Sequence, residues 1–163
     1  MERILGIDPG YGRVGFGVLE KIKGEWEAIS WGCIETKATC DFCSRLKSIN
    51  QAVDKLIKKY QPGLAVVEDL FFAKNAKTAI KVGEARGVIL LTCFLSGVKV
   101  VEFTPLQIKQ AVTGYGKADK RQMQKVVQMI LKIDKKINPD DAADALAGAL
   151  AGINCFKLLE KKD

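Results

Sequence analysis

The chain has 163 residues, with 26 Lys and Arg against 19 Asp and Glu, a formal charge of +7 and no histidine. One domain spanning 1–163 is expected at this length, no apolar run reaches the roughly 18 residues of a membrane span, and the start Met1-Glu2-Arg3 lacks a leader pattern, so a cytoplasmic protein is expected. The charge favours an acidic partner, nucleic acid before a membrane surface, and without imidazole any hydrolysis must rest on carboxylates, lysine or metal-bound water.

Arg3 to Asp8 reads as a buried strand. Gly10, Gly12, Gly15 and Gly17 surround a turn into a second strand at 14–19, a hairpin whose glycines allow close passage or positive φ. Lys23-Gly24 marks the next turn, and 25–35 alternates as a third strand. Leu46, Ile49, Val53, Leu56 and Ile57 repeat at helical spacing, which predicts a helix over 41–60 ended by Pro62-Gly63. The run 64–69, apolar through Val67, predicts a strand covered on both faces. A long helix over 76–96 stops at Gly97, and 98–103 is the fifth strand. Thr104-Pro105-Leu106-Gln107 is a capping box for a helix to about 113. Asp119 to Gln122 repeats that logic for a helix to about 133. Asn138-Pro139 caps a last helix to about 159. Antiparallel strands first and helix-linked strands later imply an α/β fold: a five-stranded mixed sheet flanked by helices on both faces.

Five cysteines, Cys33, Cys40, Cys43, Cys93 and Cys155, are read as buried or incidental thiols. Cys40-Asp41-Phe42-Cys43 would need two further zinc ligands in a chain without histidine.

The acids carry the chemistry. Asp8 ends one buried strand and Glu68 another. An unpaired buried charge costs several kcal/mol, so Glu68 calls for a metal or strong donors. Asp69 alternates to the other face and reads as a surface or capping residue. In the Ala-rich helix, Asp144 lies beyond the first turn, where the helix dipole no longer explains an acid. Asp144 shares a face with Asp140 and with Asp141, and spacing alone does not choose between them. Carboxylates at two strand ends and one helix face suit hard divalent cations. In a basic chain they point to metal-assisted chemistry on a polyanion.

Other positions read as nucleic-acid contacts. Phe71-Phe72 with Lys74 and Asn75 follows Glu68 in an expected loop, where an aromatic either packs or stacks on bases. Lys109, Lys117, Lys120 and Arg121 flank Gly114-Tyr115-Gly116, a glycine turn into a helix N-terminus that suits phosphate. The 76–96 helix is apolar on several sides. Its surplus face is covered either by later helices or by a second subunit.

ILGIDPG with its glycine hairpin, VVEDLFFAKN, the Ala-Arg-Gly of EARGV, and DAADALA together resemble the RuvC-type Holliday junction resolvases over nearly the whole chain. The resemblance implies a ribonuclease H-like fold and a homodimer. It also implies magnesium-dependent nicking of four-way DNA junctions, with the branch-migration proteins RuvA and RuvB as partners. It carries the catalytic, metal-holding acids onto Asp8, Glu68, Asp141 and Asp144, which selects Asp141 over Asp140. It carries the junction-contacting aromatic onto Phe71 and two lysines onto Lys109 and Lys120. Val14 departs from the pattern, where relatives often have Thr; a change in hairpin hydrogen bonding is expected there, not in chemistry. Two Mg²⁺ ions, with Mn²⁺ as a possible substitute, would lie about 3.5–4 Å apart and leave 5′-phosphate and 3′-hydroxyl ends. A twofold dimer would place two such sites for paired nicks. Rival readings are an actin-like ATPase or sugar kinase, for which 163 residues are too few, a monomeric nuclease of RNA–DNA hybrids or RNA ends, and a non-catalytic junction-binding module.

Overall fold

The computed structural model describes residues 2–70 and 76–160. Strands β1 (Arg3–Asp8), β2 (Arg13–Ile22), β3 (Glu25–Glu35), β4 (Leu64–Glu68) and β5 (Lys99–Phe103) form one sheet in the order β3-β2-β1-β4-β5. β1, β2 and β3 pair antiparallel, whereas β4 runs parallel to β1 and to β5. Helices α1 (Phe42–Tyr60) and α2 (Ala76–Leu95) cover one face. Helices α3 (Pro105–Thr113), α4 (Lys120–Ile130), α5 (Asp140–Ala151) and α6 (Ile153–Glu160) cover the other. The mixed ribonuclease H-like sheet expected from the sequence is the one observed.

Strand alternation assigns the faces. Leu5, Ile7, Ala65 and Val67 point to the α1–α2 side, and Ile4, Leu64 and Val66 to the α5 side. A period of two then places Asp8 and Glu68 on the α5 side as well. Ile7 pairs with Val67 across the parallel ladder, so the two acids leave adjacent strands at one level. Val14 is fully buried in the α1–α2 core, where a methyl-bearing residue suffices.

α5 lies against the sheet because glycine lets it. A Cβ on Gly6 would sit 1.9 Å from the Ala145 carbonyl oxygen, and one on Gly15 would sit 2.0 Å from that of Asp141. On Gly17 it would meet the Leu146 side chain at 2.7 Å. Close approach, not positive φ, is what these glycines supply. Small residues on the helix side, Ala142, Ala145 and Ala149, are fully buried.

Three expected boundaries shift. The last helix is two: α5 ends at Gly152, whose missing side chain leaves room for Val66 Cγ2, 2.4 Å from where a Cβ would stand. Asn138 does not cap it; Pro139 holds the N-cap position without a side-chain bond. α4 stops at Ile130, because Lys132 turns the chain at φ 53°. Both expected capping boxes are present, at Thr104/Gln107 and Asp119/Gln122. By length and composition Asp140–Leu159 would pass as a membrane span, against expectation, but 61% of that stretch is buried inside the protein. It is a core segment.

Candidate active site

Four acids approach one another at the carboxyl ends of β1 and β4. Asp8 and Glu68 share a hydrogen bond between their carboxyl groups. Burial, then the neighbouring Glu68, pushes the Asp8 carboxyl up to about 9, with Asp144 and Asp141 adding to the rise. Burial also raises Glu68 and Asp144, while Lys120 opposes the rise at both. Two carboxylates this close cannot both ionise without a compensating cation, so the pair holds a proton between them.

Cations of the chain occupy the other two acids. Arg13 Nε lies 2.9 Å from Asp141 Oδ2. Lys120 Nζ lies 3.3 Å from Asp144 Oδ2 and 3.6 Å from Asp140 Oδ2. Burial lowers the Lys120 ammonium, but Asp144 and Asp140 outweigh it and raise it overall. Asp140 is exposed, and a hydrogen bond from Gln124 at 3.0 Å, with Lys120, lowers its carboxyl. Asp144 and Asp141 are among the principal acids acting on Asp8. In this arrangement no three His, Cys, Asp or Glu side chains among the described residues stand close enough to hold one metal ion. The donor set nonetheless suits a hard divalent cation. It is all carboxylate oxygen, partly buried, and its inner pair keeps a proton that a cation would displace.

The end of β4 is braced. Arg86 on α2 pairs with Asp69 at 3.0 Å and with Glu102, and its Nε donates to the Glu68 carbonyl at 3.4 Å. Asp69 therefore lies opposite the acids, as its alternation predicts. Cys33 on β3 reaches Asp141 at 4.0 Å, and burial raises its thiol, so without a metal it stays protonated. Cys40 and Cys43 are free and exposed, incidental but not buried.

Glu68, Asp144, Lys109 and Lys120 line a cleft of about 200 Å³ floored by Ile108 and Met123. Lys109 and Lys120 thus face the acids instead of forming a separate phosphate site. The amide expected to receive phosphate at the start of α4 is taken by the chain itself: Gln122 N donates to Asp119 Oδ1 at 2.8 Å. Lys117 and Arg121 stay on the exposed surface. Phe71, Lys74 and Asn75 lie outside the described residues. A larger concavity of about 890 Å³, beside Trp26 and Trp31, opens at the opposite end of the sheet. A polyanion site is expected to be open and shallow, so cavity size does not locate the chemistry here. Arg13 was not anticipated. Its one sequence signal is hairpin register, since Asp8 pairs with Gly15 and Arg13 lies two residues further out on β2.

Residues 4–152 match the model of the family described as crossover junction endodeoxyribonuclease RuvC. The chain is 52% identical over 146 residues to the crossover junction endodeoxyribonuclease RuvC of Petrotoga mobilis, covering 90% of each chain. With that of Caldanaerobacter subterraneus it shares 45% over 159 residues, 98% of this chain and 96% of the relative. The structure of T. thermophilus RuvC in complex with Holliday junction substrate superposes with a TM-score of 0.88 at 31% identity, covering 99% of this chain and 97% of that one.

Proposed function

This chain belongs to the RuvC family of crossover junction endodeoxyribonucleases, and on that premise we propose that it resolves four-way DNA junctions by paired, symmetric nicks. Asp8, Glu68, Asp141 and Asp144 would hold divalent cations, two Mg²⁺ per site with Mn²⁺ as substitute. The observation that carries this reading is the hydrogen-bonded Asp8–Glu68 pair at two parallel strand ends, facing two acids of a helix seated in a glycine channel. The cations, when bound, supply charge neutralisation on the phosphate and activation of water.

The chain's own groups do the rest. Asp8 and Glu68 give up their shared proton and become oxygen donors. Lys120 and Arg13 release Asp144 and Asp141 and become free to face phosphate oxygens. Lys109, beside Glu68 in the cleft, adds positive charge where the backbone would lie. Lys117 and Arg121 on the exposed rim suit flanking phosphates, Phe71 takes the junction-contacting role that family likeness implies, and Lys74 and Asn75 complete the proposed DNA contacts.

Paired nicking needs two sites. Support for a homodimer comes from α2, where Ile80, Leu91, Phe94 and Leu95 are 56–77% exposed, so later helices do not cover that face. A second copy of this chain is the proposed cover. RuvA and RuvB as partners, a cytoplasmic location and a single domain over 1–163 complete the proposal.

The test is cleavage of a synthetic mobile four-way junction with Mg²⁺, against linear duplex and an RNA–DNA hybrid. Junction-selective nicks at symmetric positions are expected. Preference for the hybrid would favour a different nuclease of the same fold, and junction binding without nicking a non-catalytic module.

A further inference from the structure

On the α1–α2 side of the same sheet end lies a second group of cations that the acid site does not use. Tyr11 follows Asp8 by three residues, in the turn into β2. Its ring meets that of Phe42, the first residue of α1, edge-on at 6.0 Å between centroids. The Arg45 guanidinium stands 4.8 Å from the Tyr11 centroid. Lys81 Nζ stands 5.6 Å from both rings. Tyr11, Lys77, Ile80, Lys81 and Glu84 line a shallow concavity of about 290 Å³.

The topology explains the location. α1 leads into β4 and α2 leads out of it, and β4 runs parallel to β1. The start of each helix therefore sits at the carboxyl end of the sheet, where Asp8 and Glu68 emerge. Lys109 and Lys120 bound the acids from the α3–α4 side. Arg45, Lys77 and Lys81 bound them from the other.

Arg45 and Lys81 form no ion pair among the described residues; aromatic rings are their partners instead. Arg45 also donates from Nε to Thr36 Oγ1 at 2.9 Å, which in turn donates to the Tyr11 carbonyl at 2.6 Å, so its guanidinium is held in place. The acids nearby are few. Asp41 is spent on capping α1 through Ser44 N at 2.9 Å, and Glu84 lies at the rim. A ring face neutralises no charge, so Arg45 and Lys81 stay available to phosphates, and the ring edges suit sugars and bases.

We propose that Tyr11, Phe42, Arg45, Lys77 and Lys81 form a second strand-contact surface, which grips the sugar–phosphate backbone of DNA on the α1–α2 side of the acid cleft. This rests on the nuclease reading of that cleft. The rival role is a latch, in which the same side chains only fasten α1 and α2 to the turn after Asp8.

The experiment is the salt dependence of binding to a synthetic four-way junction in EDTA, with cleavage by the unmodified protein run in parallel. Lys77→Gln/Lys81→Gln should bind more weakly and lower the salt slope by about one for each phosphate no longer neutralised. Lys77→Arg/Lys81→Arg should restore both. Lys55→Gln, towards the other end of α1, should change neither; an equal fall there would mean that bulk charge is at work and would overturn the surface. An unchanged slope in the double Gln variant overturns it too, and with a lowered melting temperature assigns the latch. Both Lys77 and Lys81 are exposed, so these variants are expected to fold. If the unmodified protein binds but never nicks, the nuclease reading fails, while the slope still decides this surface.

Discussion

Arg13 and Asp141 form an ion pair across the mouth of the acid cluster, Nε to Oδ2 at 2.9 Å, and that pair competes with any cation for the Asp141 carboxylate. Arg13 is half exposed, so solvent screens the pair and it holds Asp141 only weakly. Arg13→Gln should therefore tighten divalent-cation binding modestly, by less than about tenfold. Calorimetric titration with Mg²⁺ measures it. Weaker binding in the variant would mean that Arg13 orients Asp141 for the metal.

The four acids should be individually indispensable to cleavage. Asp8→Asn, Glu68→Gln, Asp141→Asn and Asp144→Asn are each expected to lose roughly three orders of magnitude in rate, because metal stabilisation is worth several kcal/mol. Asp140→Asn should stay within about tenfold, since Asp140 is exposed and engaged by Gln124 and Lys120. Single-turnover junction cleavage compares them. An inactive Asp140→Asn beside an active Asp141→Asn would reverse the assignment.

Metal-free stability should depend on pH through Asp8. Its folded value of about 9 lies above its ordinary 3.8, so the folded protein binds the proton more tightly. That contribution is complete below the ordinary value and is lost as pH rises towards 9. Asp8→Asn removes the penalty, so its gain in melting temperature over the unmodified protein should be larger at about pH 8.5 than at about pH 4.5. Equal gains at both pH values would contradict a raised Asp8. Mg²⁺ added at about pH 8 should release protons, which weakly buffered calorimetry detects.

A methyl group at Gly15 should damage the site from beneath. Its Cβ would meet the Asp141 carbonyl oxygen at 2.0 Å, and backbone cannot swing aside as a side-chain tip does. Gly15→Ala should cost at least about 1–3 kcal/mol of stability. It should also reduce cleavage well below the normal rate at temperatures where the variant remains folded. Full activity in the folded variant would show that α5 can move without disturbing Asp141.

On α2, Phe94 is 77% exposed and Leu91 56%, so a charge at either is not placed in a core. Phe94→Glu should yield a folded monomer by sedimentation. On a cruciform plasmid it should give nicked circles where the unmodified protein gives linear product. An intact dimer in the variant would move the subunit interface elsewhere.

Much of the site was legible because strand ends and helix caps are local. Asp8 and Glu68 close apolar runs, and alternation alone sends both to one face. The capping boxes at Thr104 and Asp119 formed as written. What escaped was set by distance along the chain. Arg13 reaches Asp141, near the other end of the sequence, only through the hairpin register and the seating of α5. That Asp141 rather than Asp140 lies beside Arg13 follows from the rotation of α5 on the glycines, which periodicity does not supply. The break at Gly152 depends on Val66 from another strand. The cation–aromatic group joins residues of a turn and two helices, none of which forms a motif alone. Close passage was one of two reasons the sequence offered for the hairpin glycines, but that a helix backbone is what passes belongs to tertiary structure.

Because α5 carries both the buried alanines and two of the acids, its fit to the sheet and the aim of its carboxylates cannot be adjusted separately. Substitutions at Ala145 or Ala149, which are buried against the sheet, should score in a genetic screen beside those at the four acids. Efforts to toughen the enzyme have one open direction. Larger residues can be tried in the α1–α2 core, where the sheet bears ordinary side chains, while the α5 seam must stay as narrow as glycine and alanine make it.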